Sequence, residues 1–293
     1  MVLSILQIAK RTIFENLKIK NNLIYFAIVI IFAILFNLGI SSYLGINEIE
    51  AGIASNYFVW ALLISAGAPF LIYICYIASG SINKELNSGT ALMLFTRPLS
   101  RKEFIIGKFL GILGYIAIIN AFIFLFVPTL MNLFFGASTN ILPIIWKLSL
   151  VFYVFSILFS TIFVSISILF STIFKHSITV FLIMIGIILA LYILPIINES
   201  ALQISIIPNI VKPVFASTVS VLIDSGNVSN SISFISTAYG DVFYKIDSGI
   251  SNAPRIIVQN YTSSLTLFLV ITVVLSIIIL IVAMSVFSKK DIA

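Results

Sequence analysis

The stretch NSGTALMLFTRPLSRKEFIIGKFLG, residues 87–111, places four basic residues and a proline between two long apolar segments. The whole chain is 61% hydrophobic and only 9% charged, and its mean hydropathy is +1.21. A soluble domain carries about 25% charged residues. The sequence therefore predicts an integral membrane protein, in which this stretch connects two membrane spans.

Six apolar runs are long enough to cross about 30 Å of hydrocarbon as helices that rise about 1.5 Å per residue. These predicted spans lie near residues 22–44, 58–81, 106–135, 148–174, 177–197 and 264–287. The predicted fold is an all-α polytopic membrane protein with a single transmembrane domain over residues 1–293. Pro69, Pro128 and Pro195 lie inside the runs and are able to break helices.

Lysine and arginine in the connections predict the orientation, because cytoplasmic loops carry an excess of both. With a cytoplasmic N-terminus, twelve of these residues fall inside and four fall outside. Tyr43, Tyr57, Trp60 and Trp146 then fall at the outer surface, where aromatic residues are enriched. We therefore expect a multi-pass protein of the cell membrane with both termini cytoplasmic.

The segments that flank the spans differ in character. Residues 1–21 carry apolar side chains on one helical arc and polar ones on the other, which predicts a basic helix in the cytoplasmic interface. A frayed basic tail is the alternative. Residues 198–263 are rich in Ser and Asn and form the predicted extracellular connection, which is a candidate to gate the exit or to bind an extracellular partner.

The opening stretch contains a strong helix start. Ser100 is followed three residues later by Glu103, the spacing of a capping box, in which each residue satisfies a backbone N–H of the other. Pro98 stops any helix before it, because the residue that precedes a proline favours an extended conformation. Beyond the cap, Gly107 and Gly111 have the small-x-x-x-small spacing of a helix-packing face.

We interpret residues 82–105 as a rigid cytoplasmic elbow rather than a floppy loop. Its basic residues alone would be explained as topology markers, which is the plainer interpretation. That interpretation does not account for the helix cap, the apolar run at 90–96 or the acid Glu85. A charged, partly apolar protrusion of defined shape is typical of a docking feature.

The residue order in this elbow resembles the cytoplasmic loop of ABC-2 type permeases, the membrane subunits of ATP-binding-cassette exporters. The resemblance covers about residues 84–111. Its matching residues are Glu85, Gly89, Thr90, a leucine-rich run, Pro98, Leu99, Ser100, Arg101, Gly107 and Lys108. The resemblance implies that the elbow docks on a separate ATPase subunit, and that two permease subunits, identical or paralogous, enclose the translocation path.

The residues assigned to ATPase docking and coupling share a position in or beside this elbow. They are Glu85, Gly89, Thr90, Arg97, Pro98, Ser100, Arg101 and Lys102. The chain has no G-x-x-x-x-G-K-[ST] phosphate loop, so we expect ATP and Mg to bind the partner subunit and no cofactor to bind this chain. We predict no catalytic residue here.

Other classes of site are poorly supported. The single cysteine, Cys75, excludes a disulfide framework, and the single histidine, His176, excludes a multi-histidine metal site. The predicted span cores carry no acid to form an intramembrane aspartyl protease or to bind a coupling ion. The net charge of +6 follows membrane topology, and we expect no nucleic-acid partner.

Polar residues inside the spans allow two interpretations. The candidates to line a path or to pack against neighbouring helices are Asn37, Asn120, Ser156, Ser160 and Ser167. We favour packing, with hydroxyl groups bonded to carbonyls one turn back. A path without fixed charges suits lipids, apolar peptides or drugs. The alternative functions are a non-transporting membrane anchor or assembly subunit and a stand-alone facilitated transporter.

Overall fold

The computed structural model describes residues 2–41, 57, 60–61, 64–65, 67–88, 100–135, 142–197, 244–247, 255–258 and 265–289. Most of the described residues are helical. The helices are α1 (Val2–Asn16), α2 (Ile19–Ser41), α3 (Ala68–Ser79), α4 (Asn83–Asn87), α5 (Arg101–Phe135), α6 (Leu142–Ile173), α7 (Ser177–Ile197) and α8 (Leu265–Ser288).

Three described segments are long and apolar enough to cross a membrane. They are Arg101–Thr129, Ser149–Ile173 and Val270–Ser288, which correspond to the third, fourth and sixth predicted spans. Two shorter apolar helical segments, Asn22–Ile31 and Ser177–Ala190, fall in the first and fifth predicted spans. The protein is therefore a multi-pass membrane protein, while the count of six spans and the orientation remain predictions.

The second predicted span, 58–81, is not one continuous helix. Helix α3 begins only at Ala68, after Gly67, which takes an extended conformation at φ −76° and ψ 166°. Pro69 follows in the first turn of α3, a position where its missing N–H costs no hydrogen bond. Pro128 and Pro195, in contrast, lie inside the continuous helices α5 and α7.

Two short strands modify the all-α prediction. Strands β1 (Tyr244–Asp247) and β2 (Arg255–Val258) pair antiparallel in the predicted extracellular connection, with Tyr244 opposite Val258 and Asp247 opposite Arg255. The hydropathy argument that predicts helices in a bilayer does not extend to this polar connection. The remaining residues of 198–263 lie outside the described part of the chain.

Helix α6 lies at the centre of the described fold. It packs against α3, α5, α7 and α8 and buries Phe152, Phe159 and Phe163 almost completely. Helix α8 contacts α6 along one face, while Val270, Ile271 and other aliphatic side chains on its opposite face are exposed. In a membrane that exposed face meets lipid rather than water, which explains a helix that is apolar all round.

Two residues of the predicted outer belt are buried inside the protein. Tyr57 and Trp60 are fully buried, and only Trp146 among the described candidates is exposed. The Trp60 indole N–H donates to the carbonyl of Val29 at 3.3 Å, and Tyr57 shares a hydrogen bond with Ser149. These rings hold helices together because each has an internal partner. Tyr43 lies outside the described residues.

Candidate functional site

Helix α5 begins at the predicted cap. The backbone N–H of Glu103 donates to Ser100 Oγ at 3.2 Å, and the N–H of Ser100 donates to Glu103 Oε2 at 3.0 Å. The Glu103 side chain is nearly buried, and its charge lies in the first turn of α5, where the helix dipole favours an anion. Both capping-box hydrogen bonds therefore fix the start of a helix 35 residues long.

An ion pair fastens this helix to α4. Lys108 Nζ donates to Glu85 Oε1 at 2.5 Å, with side-chain exposures of 4% and 9%. Glu85 lies on the short helix that follows α3, and Lys108 lies two turns into α5. Breaking a buried pair by removing one partner costs about 3–5 kcal/mol, so this contact resists separation of α4 from α5.

The ion pair belongs to a larger group of charges, Arg11, Glu15, Glu85 and Lys108, which we call the charged cluster. Lys108 Nζ lies 4.0 Å from Glu15 Oε2, and Glu15 accepts a 2.7 Å hydrogen bond from Arg11 Nε. That hydrogen bond is the largest cause that raises the pKa of Arg11 above its usual value. The cluster therefore joins α1, α4 and α5 at one end of the bundle.

The glycines of α5 provide the seat for α1. A Cβ added to Gly107 would lie 2.8 Å from Ile8 Cβ, and one added to Gly111 would lie 2.6 Å from Thr12 Cβ. The contacting residues follow the same order along both helices, so α1 runs parallel to the first turns of α5. The small-x-x-x-small face predicted from sequence is therefore occupied within the chain by the N-terminal helix.

This packing refines the expectation for residues 1–21. The helix ends at Asn16, and it buries Ile8, Ala9 and Thr12 against α5. Leu6 and Phe14, at 59% and 61% exposure, remain available to a lipid interface. The buried face differs from the apolar arc of the sequence, because the side chains of Ile8 and Thr12 are the ones that lie against the glycines of α5.

The start of α5 also holds the end of α8. Arg101 Nη1 donates to the carbonyl of Ser288 at 3.0 Å, and the rings of Phe104 and Phe287 stack with centroids 5.9 Å apart. A cation at a helix C-terminus is stabilised by the helix dipole and by the carbonyls left without intrahelical donors. Arg101, predicted to contact a partner subunit, thus makes a contact inside this chain.

Lys102 is the neighbouring base that remains exposed. Glu85, Ser100 and Arg101 are brought to the same end of α5, together with Lys102. The structure does not describe Gly89, Thr90, Arg97 and Pro98, which belong to the remaining part of the predicted elbow. In the described part of the elbow, side-chain contacts therefore hold α4 and α8 to the start of α5, and Lys102 is exposed on the surface.

Among the candidate polar residues of the spans, Asn120, Ser156 and Ser160 make hydrogen bonds inside the bundle. Ser156 and Ser160 donate to carbonyls three residues back at 2.7 Å, and Asn120 Nδ2 donates to Ser156 Oγ at 2.8 Å. Ser167 is fully buried, and the side chain of Asn37 lies outside the described part of the structure. These bonds support the packing interpretation, because the hydroxyls are directed into the bundle.

A cluster of hydrogen-bonded side chains that the sequence did not predict lies next to the charged cluster. Asn22 Oδ1 accepts from Tyr73 and Tyr115, and Asn22 Nδ2 donates to the Asn16 carbonyl at 3.1 Å. Tyr25 stacks on Tyr73 with centroids 3.8 Å apart. We call Asn22, Tyr25, Tyr73 and Tyr115 the tyrosine cluster. Its only sequence signal is an asparagine at the start of a predicted span.

No metal site is found among the described residues, which hold no group of three or more His, Cys, Asp or Glu side chains that would bind an ion. The contacts at this end of the bundle are mechanical, since they join helices and position no reactive group. They suit the transmission of movement among α1, α4, α5 and α8.

Comparison with known proteins identifies the family of the chain. A search of curated protein sequences finds no match. The family model described as ABC-2 family transporter protein matches residues 22–292. The match covers every described helix except α1 and the first residues of α2, so it includes Glu85 and Lys108. The chain therefore belongs to the ABC-2 transporter family, as the elbow resemblance predicts.

Proposed function

We propose that this chain is the permease subunit of an ABC exporter and couples to a separate ATPase subunit through the elbow at residues 82–105. Family membership supports a role as a membrane transport component. The observation that carries the coupling role is the buried Glu85–Lys108 pair, which ties the elbow to the base of α5. A force applied to α4 is thereby applied to a spanning helix.

Movement from the elbow has two routes into the membrane domain. The first runs through Glu85 and Lys108 into α5. The second runs from Arg101 to the Ser288 carbonyl at the end of α8. Helix α5 is about 52 Å long at about 1.5 Å per residue, which exceeds a hydrocarbon core of about 30 Å. One end of α5 therefore extends beyond the core, where a partner subunit is able to push on it.

In the proposed mechanism, the ATPase partner binds ATP and Mg, and its closure displaces the elbow. The displacement tilts α5 and opens the path outward. Two copies of this chain, or this chain and a paralogue, enclose that path in the cell membrane. Both termini are cytoplasmic in this proposal, because the elbow and the N-terminal helix must face the ATPase. The connection at 198–263, with its β1–β2 ladder, is the candidate contact for an extracellular partner.

Lys102 is the residue proposed to contact the ATPase directly. It is exposed next to the capping box and, unlike Arg101, has no contact to the end of α8 among those described. Charges of opposite sign across an interface favour association, and like charges oppose it. Reversing the charge of the exposed Lys102 is therefore expected to weaken docking without removing a buried group.

The test is co-purification of the chain from its native host in mild detergent, followed by an assay for vanadate-sensitive ATPase activity. Lys102→Glu is expected to lower the amount of co-purified ATPase several-fold. Lys175→Glu, which reverses an exposed base in the α6–α7 connection, is the matched control and is expected to behave as wild type. The absence of any ATPase from the wild-type eluate would contradict the proposal.

A further inference from the structure

An apolar groove of about 490 Å³ lies between α2 and α5. Its volume is within the range of about 300–1,000 Å³ that is usual for small-molecule sites. Leu17, Phe26 and Ile30 form one wall, and Ile118 and Phe122 form the other. Among the described residues that line the groove, Asn22 is the polar one.

The groove opens to the outside of the bundle. Leu23 on one rim is 60% exposed, and Phe122 on the other is 53% exposed. The Phe26 and Phe122 rings meet edge to face across it, with centroids 5.4 Å apart. Both walls are helices of the membrane domain, so the medium that meets the open side is lipid. A groove of this composition between membrane helices is filled by hydrocarbon.

One end of the groove is polar and basic. Asn22 also lines a small polar cavity with Asn16, Tyr73 and Lys84, so the two spaces meet at this residue. Lys18 is exposed and directly follows Leu17, a residue of the groove wall, in the chain. Glu15 is the nearby acid on α1, and it already accepts the hydrogen bond of Arg11. An apolar groove thus adjoins a polar cavity that Lys84 lines, with Lys18 next to the groove wall in the chain, an arrangement that suits an anionic amphiphile.

We propose that the groove binds an acyl chain of an anionic phospholipid, with the phosphate at Lys18. Van der Waals contact with Phe26, Ile30 and Phe122 holds the chain, because a chain that already lies in hydrocarbon gains nothing from leaving water. A lysine near the membrane surface adds attraction for an anionic headgroup. This lipid would hold α2 beside α5, and its binding does not require the proposed transport function.

The first experiment fills the groove. Ala27 lines it and is half-buried, so Ala27→Phe places a ring in the acyl-chain position. Ile34→Phe on the same helix, at an exposed position that does not line the groove, is the matched control. The full-length chain is reconstituted with phosphatidylglycerol, returned to mild detergent and washed, and the retained phosphatidylglycerol is measured by mass spectrometry.

The proposal expects wild type and Ile34→Phe to retain phosphatidylglycerol, and Ala27→Phe to lose it. Ile30→Trp, a second filling substitution, replaces Ala27→Phe if the latter does not yield a monodisperse protein. Equal retention by wild type and a folded filled variant would overturn the proposal. Loss of self-association by the filled variant, with lipid retention unchanged, would also overturn it and would assign the groove to a second copy of the chain.

The second experiment tests the headgroup. Lys18→Gln is compared with Lys10→Gln, which removes an exposed charge within α1, farther from the groove wall in the chain. Loss of one surface lysine contact lowers the preference for phosphatidylglycerol over phosphatidylcholine roughly fivefold. Lys10→Gln is expected to keep the wild-type preference. An unchanged preference in Lys18→Gln would overturn the assignment of the phosphate to this residue.

Discussion

Two ion pairs of the charged cluster have the same chemistry and different surroundings. Glu85–Lys108 is buried, with side-chain exposures of 9% and 4%, whereas Arg11–Glu15 lies at 41–45% exposure. Exposed pairs contribute about 0–1 kcal/mol, while removing one partner from a buried pair costs about 3–5 kcal/mol. Burial, rather than the distance between the charged atoms, therefore decides how much stability an ion pair contributes.

The largest expected effect comes from Glu85→Gln. The substitution leaves the Lys108 charge buried without its closest acid, so the free energy of unfolding should fall by about 3–5 kcal/mol. Denaturant titration in mixed micelles measures this change. The double variant Glu85→Leu with Lys108→Met removes both charges and should restore the stability of wild type, because an apolar replacement of a buried pair is often neutral.

The same double variant separates stability from coupling. If the pair transmits movement, the double variant remains folded and binds the ATPase, but nucleotide hydrolysis no longer drives transport. A double variant with wild-type coupling would show that the pair contributes only to stability.

Gly111→Ala has an intermediate expected effect. The added Cβ would meet Thr12 Cβ at 2.6 Å and the Ala9 carbonyl oxygen at 2.9 Å, so α1 must move. Overpacking of this kind costs about 1–3 kcal/mol. Gly186→Ala is the matched control, since nothing lies within 4 Å of its Cβ position. It should be neutral or stabilising by up to about 1 kcal/mol, because alanine favours the helix.

Gly111→Ala also tests whether the contact of Lys108 with Glu15 depends on the packing of α1, unlike its contact with Glu85. If glycine packing holds α1 on α5, Gly111→Ala separates Glu15 from Lys108 and leaves Glu85–Lys108 in place. Crosslinking of α1 to α5 through an introduced pair of cysteines is then expected to fall, whereas crosslinking of α4 to α5 is not. Equal stability of Gly111→Ala and Gly186→Ala would contradict the close packing.

The features that sequence could predict are mainly local. The Ser100–Glu103 cap depends on residues three apart, and the glycine face of α5 depends on residues four apart. The partners of these features could not be predicted, because α1 is about a hundred residues away from Gly107. Hydropathy predicts which segments enter the membrane. It does not predict which side of a helix faces protein, so the burial of Tyr57 and Trp60 could not be predicted.

Charged residues show the same limit. Glu85 and Lys108 both match the elbow resemblance, but nothing in the order of residues predicts that they form an ion pair. The partner of Arg101 is the backbone carbonyl of Ser288, and a carbonyl carries no sequence signal at all. The resemblance implies that Arg101 contacts a partner subunit, and the structure shows that its guanidinium also holds the end of α8.

The smallest expected effect is that of Arg11→Ala. Its pair with Glu15 is an i, i+4 pair on the surface of α1, so the loss should be about 0.3–0.5 kcal/mol and should shrink as salt is raised. Denaturant titration at low and high salt checks both expectations. A loss as large as that of Glu85→Gln would show that the charged cluster acts as one network, in which Arg11 holds Glu15 against Lys108. A small, salt-dependent loss would leave Glu85–Lys108 as the contact through which the elbow acts on α5.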